Sequence, residues 1–324
     1  MKSFDEITNI IDNEIAGIHW THAPRGLYEP IAYVLSLGGK RIRPALVLAA
    51  CEMFSGSLRE ALAPALGIEI FHNFTLLHDD IMDKADIRRG KPAVHKKWNE
   101  NTAILSGDVM QILAYQYIAK TNAECLKEVL DLFSATATEI CEGQQLDMEF
   151  EARTDVSVDE YMEMIRLKTA VLLGAALRTG AIVGGAGEAD KGLLYDFGVN
   201  LGLAFQLKDD LLDVYGDADT FGKKIGGDIV CNKKTFLLVS ALQNAGGSTK
   251  QTLLDWLAAD SFSPDEKIQS VRKVYDLLHI KDICEAEINV FYEKALDKLN
   301  KINLPIENKQ VLSNLAANLK ARER

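Results

Sequence analysis

Between Ala93 and Ser263 the sequence contains no proline, and nowhere does it show an alternating Val/Ile/Thr run long enough to demand a sheet. The first absence permits long uninterrupted helices, and the second leaves little else for the apolar residues to build. A bilayer-crossing run is missing too. The longest apolar stretch, Ala170 to Leu177, stops at Arg178, so no stable membrane insertion is expected. Met1-Lys2-Ser3-Phe4-Asp5-Glu6 lacks a basic segment followed by an apolar block, and no signal peptide is read there. Five cysteines (Cys51, Cys125, Cys141, Cys231 and Cys284) are odd in number and show no paired spacing. That argues against a disulfide framework or zinc site and for reduced, buried thiols in a cytoplasmic protein. A net charge of −11 disfavours nucleic acid as a partner, because phosphate-backbone binding needs clustered basic charge.

What is present is apolar and helical in pattern. Apolar residues make up 48% of the chain, ample for a core. The proline-free stretch is rich in Ala, Leu, Met, Glu and Lys at helical period. Breaks are expected at Glu151 to Asp155, Gly184 to Gly187, Gly216 to Gly227 and Ala245 to Thr249, where Gly and polar residues cluster. Ser157-Val158-Asp159-Glu160 and Ser263-Pro264-Asp265-Glu266 read as capping boxes. The expectation is one all-α domain spanning residues 1–324, with ten or more helices.

Two acidic triplets stand out, Asp79-Asp80-Ile81-Met82-Asp83 and Asp209-Asp210-Leu211-Leu212-Asp213, each in an apolar helical stretch. The spacing i, i+1, i+4 gathers three carboxylates on roughly a quarter of a helix circumference. Like-charged patches call for a cation, and a hard divalent ion that takes carboxylate oxygens and bridges to phosphate is the natural one. Each triplet is followed by cations: Arg88 and Arg89 after the first, Lys223 and Lys224 and then Lys233 and Lys234 after the second. Upstream, Gly38-Gly39-Lys40-Arg41-Ile42-Arg43-Pro44 loads a glycine turn with three cations before a helix start, a pattern suited to phosphate. His72 and Thr75 fall at i−7 and i−4 from Asp79, on the carboxylate side. Lys168-Thr169 puts an ammonium into an apolar segment, where it needs an anionic partner. Asp217 to Gly222 faintly resembles a calcium loop but lacks its fifth-position ligand and its terminal bidentate Glu.

In this order the motifs resemble the trans-isoprenyl diphosphate synthases, the polyprenyl synthetase family. The likeness rests on Gly38-Gly39-Lys40-Arg41-Ile42-Arg43-Pro44, both aspartate triplets, Arg88-Arg89, Lys168-Thr169, Phe205-Gln206, Gly222-Lys223 and Lys233-Lys234-Thr235. It implies an all-α fold: a single large helical bundle of the isoprenoid synthase type around a central apolar cavity. It also implies a short-chain enzyme that joins isopentenyl diphosphate to an allylic diphosphate, with two to three Mg²⁺ ions, working as a homodimer.

By the same resemblance, Asp79, Asp83 and Asp209 would hold Mg²⁺ on the allylic diphosphate, with Asp80, Asp210 and Asp213 as direct ligands or supports. Arg88, Lys168, Lys223 and Lys233 would be that diphosphate's cationic partners. Gly39, Lys40, Arg43, His72 and Arg89 would hold the diphosphate of isopentenyl diphosphate. Thr169 and Gln206, beside Phe205, offer oxygen dipoles to a developing allylic cation. Helix geometry alone places Thr75 below Asp79 and turns Phe74 aside. In the family, however, a bulky residue five places before the first aspartate limits chain growth, which points to Phe74 and a C20 product slightly ahead of C15. A terpene cyclase is disfavoured by the Gly-Gly-Lys-Arg loop, since it has no second diphosphate to hold. A non-catalytic subunit of a heteromeric synthase should have lost motif residues, and this chain keeps both triplets.

Overall fold

A capping box starts the first helix. The Ser3 hydroxyl accepts from the Glu6 N–H while the Glu6 carboxylate accepts from the Ser3 N–H, so α1 (Phe4–Ala16) begins with two terminal donors satisfied. The computed structural model describes residues 2–54, 56–216 and 225–321. Across these the chain is helical apart from short connections and one two-residue ribbon. The all-α expectation holds, and among the described residues no helix is long and apolar enough to cross a membrane.

Packing divides the chain into two compact units. The first comprises Met1–Ser134, Ala175–Leu194 and Asn303–Leu312. Within it α2 (Arg25–Ser36), α3 (Ile42–Met53), α4 (Leu58–Met82) and α6 (Glu100–Ile118) form the main layer, with α4 lying along both α3 and α6. Helix α4 is apolar on nearly every side, and residues from Ala61 to Asp80 are buried around its whole circumference. A helix of that composition has no solvent face and becomes a core element. Its end is a Schellman arrangement: Ala85 N–H donates to the Asp80 carbonyl and Lys84 N–H to that of Ile81, with Lys84 at φ 53°. The ribbon β1 (Ile87–Arg88) with β2 (Lys91–Pro92) and the short α5 (Val94–Lys97) follow.

The second unit comprises Ala135–Gly174, Tyr195–Ile302 and Ser313–Arg324. Helix α8 (Val158–Ile165) runs into a single π-helical turn, Arg166–Ala170, before α9 (Val171–Val183), of which only residues 171–174 belong to this unit. Helix α10 (Glu188–Tyr215) carries the second triplet near its C-terminus. Then come α11 (Gly227–Val230), α12 (Phe236–Asn244), α13 (Gly247–Ala258), α14 (Pro264–Leu277), α15 (Ile280–Lys301) and, from residue 313 on, α16 (Ile306–Lys320). The unit's core gathers Phe150, Tyr161, Leu207, Phe236, Tyr275 and Cys284.

Two expectations are corrected. The Ser157 capping box forms, but Ser263 makes no side-chain cap bond; Pro264, with no N–H to satisfy, opens α14 without it. All five cysteines are free thiols, yet only Cys51 and Cys284 are buried, while Cys141 and Cys231 are exposed. Cys141 lies on an outer stripe of α7 (Ala123–Glu151) with Thr138, Glu142 and Gln145, and so faces away from the core.

Candidate active site

In the first unit, the first triplet occupies the last turn of α4, where the helix's own carbonyls already carry partial negative charge. Carboxylates gathered there run against the helix dipole, so cations are needed. One comes from the ribbon, whose turn residues Arg89 (φ 51°) and Gly90 (φ 74°) both take the left-handed conformation of a type I′ hairpin. That turn aims Arg88 at Asp80. Arg88 Nε lies 3.0 and 3.1 Å from the two Asp80 oxygens, and Arg88 Nη2 also donates to Asp80 Oδ1. Asp80 is 3% exposed, so its charge is met inside the protein. Asp79 is half-buried and Asp83 exposed, one turn apart on the same face. The structure thus engages Asp80 with Arg88 and leaves Asp79 and Asp83 as the more accessible carboxylates.

The same ribbon sends Arg89 the other way. Its Nη1 donates to the Gly38 carbonyl oxygen, and a Cβ at Gly39, whose φ of 141° favours glycine, would lie 2.9 Å from the Arg89 Cζ and push the guanidinium aside. Arg43 Nη1 sits 3.1 Å from His72 Nε2, which makes that nitrogen the acceptor and puts the ring proton on Nδ1. Burial first, and then Arg43 and Arg89, hold the His72 imidazole well below its ordinary value. Burial also pulls the Arg89 guanidinium down, with Arg41 and Arg88 adding to it against the opposing pull of Glu69. An arriving anion would relieve that strain. Gly39, Arg43, His72 and Arg89 therefore come together, with exposed Lys40 on the same loop. Arg41 does not belong to the set. It is 5% exposed and bonds Glu69 at 2.6 Å, Asp12 at 2.9 Å and the Leu35 carbonyl, a structural role the sequence reading missed.

The His72 environment carries a pH prediction. A folded-state value below the unfolded one means the unfolded chain binds more protons between the two, so stability is lost as pH falls below about 6.5. His72→Gln should flatten the decline in thermal midpoint between about pH 7 and pH 5, measured by circular dichroism. A decline as steep as wild type would overturn the assignment.

Phe74 is buried, its ring 4.7 Å from His78 and 5.4 Å from Phe71. Thr75 is half-buried, and its hydroxyl donates to the His72 carbonyl at 2.8 Å.

In the second unit, Asp210 is the buried member of its triplet, at 4% exposure. It accepts from the Tyr161 hydroxyl, from Gln206 Nε2 at 3.1 Å and from the Phe236 N–H at 3.1 Å. Burial, with Asp228 nearby, pushes its carboxyl up to about 7 against the Tyr161 and Phe236 bonds. With its amide nitrogen on Asp210, Gln206 turns Oε1 to the Thr169 hydroxyl at 3.3 Å. Thr169 and Gln206 are thereby joined, with half-buried Phe205 next in the chain. Asp209 and Asp213 are half-buried, and Asp213 Oδ2 accepts from the Asp228 N–H at 3.0 Å. Lys233 is exposed at the turn before α12. Lys223, with Gly222 and Lys224, lies outside the described residues.

The anionic partner that Lys168 requires is Asp147 of α7, at 2.6 Å. Sequence reasoning did not find it. The available signal was Gly143, one helical turn earlier on the same face. A Cβ there would lie 2.3 Å from the Lys168 backbone nitrogen, so glycine allows the π-turn to press against α7 and brings Asp147 beside the ammonium. Tyr161 was missed for a related reason, since only the packing of α8 reveals its bond to Asp210. Asp147→Ala should lower the rate of the condensation that the resemblance implies about 10–100-fold by letting Lys168 swing, with a stability loss of about 1–3 kcal/mol. Steady-state kinetics and thermal unfolding check both, and an unchanged rate would exclude a positioning role.

Among the described residues no three carboxylate, imidazole or thiol groups converge into a ready-made metal cage. What each triplet offers is hard oxygen donors a helical turn apart, fewer than an ion's full shell. Such a set fits a Mg²⁺ that keeps waters and takes its remaining oxygens from a phosphate.

The sequence pattern described as polyprenyl synthetase matches residues 24–278. The chain belongs to the polyprenyl synthetase family. Within this family, the geranylgeranyl diphosphate synthase of Methanosarcina mazei is 42% identical over 248 residues, covering 75% of this chain and 76% of the relative. A crystal structure of a geranylgeranyl pyrophosphate synthase superposes with a TM-score of 0.95 at 42% identity and covers 100% of both chains. The polyprenyl synthase of Caulobacter crescentus, solved with calcium and isoprenyl diphosphate, superposes at 0.87 with 27% identity, covering 99% of this chain and 98% of that one. This polyprenyl synthetase chain therefore has the all-α isoprenoid synthase fold of its relatives.

Proposed function

We propose that this protein condenses isopentenyl diphosphate with an allylic diphosphate, head to tail, and releases diphosphate and a short-chain trans-prenyl diphosphate, with C20 favoured. The observation that carries this reading is the repeated division within the triplets. In each, the middle aspartate is buried on protein donors (Arg88 for Asp80, Tyr161 for Asp210), while the outer two remain more accessible. Asp79, Asp83, Asp209 and Asp213 are then the residues that would hold Mg²⁺, which when bound neutralises charge on the departing diphosphate.

The chain's own groups do the rest. Lys168, held by Asp147, supplies positive charge to the allylic diphosphate as its C–O bond breaks, and Lys233 binds that diphosphate in the ground state and the transition state alike. Thr169, whose proton is given to Gln206, presents hydroxyl lone pairs to the allylic cation without offering a strong nucleophile. Gly39, Lys40, Arg43, His72 and Arg89 bind the diphosphate of isopentenyl diphosphate. A neutral His72 there accepts from Arg43 and keeps that guanidinium aimed. The isopentenyl double bond forms the new C–C bond, and the proton then lost goes to the released diphosphate.

The test is incubation with isopentenyl diphosphate, Mg²⁺ and dimethylallyl, geranyl or farnesyl diphosphate in turn, with products read by mass spectrometry. A C20 diphosphate that accumulates only with an allylic primer supports the reading. No product with any primer, or a cyclised hydrocarbon, overturns it. Homodimeric assembly is part of the same proposal and is checked by light scattering on the eluted protein.

A further inference from the structure

Lys267 of α14 lies beyond every motif of the site, yet it is the most buried cation described, at 1% exposure. Among the described residues no carboxylate pairs with it. Its ammonium donates to Asn232 Oδ1 at 2.6 Å and to the Val230 carbonyl at 3.2 Å, and it sits 4.1 Å from the centre of the Phe262 ring. Those three contacts match an ammonium's three donors, one of them answered by a π-face. The hollow beside it measures about 10 Å³, enough for one water at most, and among the described residues no anion lines it. A buried cation without an anion is costly. What it holds is the backbone of one turn.

Asn232 is that turn's pivot, in the left-handed region at φ 57°. Its side chain is clamped at both ends, Oδ1 by Lys267 and Nδ2 by the Leu257 carbonyl at 3.2 Å. Its carbonyl takes the buried Lys234 ammonium at 3.2 Å. The reversal at Asn232 sends Lys234 inward and leaves Lys233 exposed, with Thr235 capping α12 directly after.

We propose that Lys267 is a positioning residue for substrate binding. By fixing Asn232 in its left-handed conformation, it sets where Lys233 meets the allylic diphosphate. This rests on the role proposed above for Lys233.

Kinetics on the full chain test it, with the allylic diphosphate varied. Lys267→Met is expected to raise the allylic KM about tenfold while kcat stays within about twofold, the signature of lost uniform binding. Asn232→Ala, which removes the acceptor and resists positive φ, should do the same and carries the test if Lys267→Met does not fold. Asn232→Gly adopts the turn without a clamp. The double variant Lys267→Met/Asn232→Gly should therefore return the KM to within about twofold of wild type. Unchanged KM in both Lys267→Met and Asn232→Ala overturns the proposal, as does a failure of glycine to rescue, which marks a purely structural lysine. Lys233→Ala separates the two readings. If it leaves the allylic KM unchanged, the role of Lys233 falls and this inference with it. If it raises KM while the Lys267 and Asn232 variants do not, this inference alone falls.

Discussion

Asp79→Ala is expected to lower condensation by roughly 10³-fold, in an assay following radiolabelled isopentenyl diphosphate, while the thermal midpoint barely moves. Asp79 is half-buried on the last turn of α4 beside exposed Asp83, and its carboxylate is proposed to hold metal on the leaving diphosphate. Removing one charge-stabilising group from a transition state that builds negative charge costs rate, not fold. The neighbouring position behaves differently. Asp80→Ala strips Arg88 of its bidentate partner inside the protein, and about 2–4 kcal/mol of stability should go with it, less than for a fully buried pair because Arg88 keeps 29% side-chain exposure. The pair of variants therefore reads out the division of labour within one motif. Near-normal rate in Asp79→Ala, or a stability loss matching that of Asp80→Ala, would mean that the triplet is a structural acidic cluster.

The sequence allowed both triplets to be placed on apolar helices, because the i, i+1, i+4 spacing and the apolar periodicity are local properties. It did not reveal which aspartate of each triplet is buried. For Asp80 the choice depends on a ribbon of two-residue strands, too short to show any alternation, whose left-handed turn alone decides that Arg88 and Arg89 point opposite ways. For Asp210 it depends on Tyr161, 49 residues earlier, which reaches the carboxylate only through helix packing. Arg41 looked like one of three equivalent cations on a glycine loop. Its removal to Glu69 and Asp12 follows from a backbone at φ 47°, which turns it inward while Lys40 stays exposed. Residue type and spacing thus gave the chemistry. The assignment of each group to catalysis or to scaffold came from contacts between distant elements.

The same distinction decides what Phe74 does. Phe74→Ala should shift the main product from C20 to C25 and longer, read by mass spectrometry of the dephosphorylated alcohols, with the rate of the first condensation nearly unchanged. The substitution removes a ring slightly larger than one five-carbon isoprene unit. Whether that space stays open depends on the walls. His78 packs against Phe74 and nests on Gly107, where even a Cβ would lie 2.2 Å from His78 Nε2, so the imidazole has little room to rearrange. Phe71 is held from behind by Phe133 at 5.1 Å, and Phe133 by Tyr115 at 4.9 Å. Walls braced in this way collapse little, and the hollow persists at a cost of about 3–5 kcal/mol in stability. A growing chain that enters the hollow buries apolar surface there and recovers part of that loss, so the longer product should also protect the variant against thermal unfolding. Thr75→Ala is the control, because its hydroxyl bonds back to the His72 carbonyl and its removal opens no comparable space. A folded Phe74→Ala variant that still stops at C20 would move the limit on chain growth away from this aromatic cluster altogether.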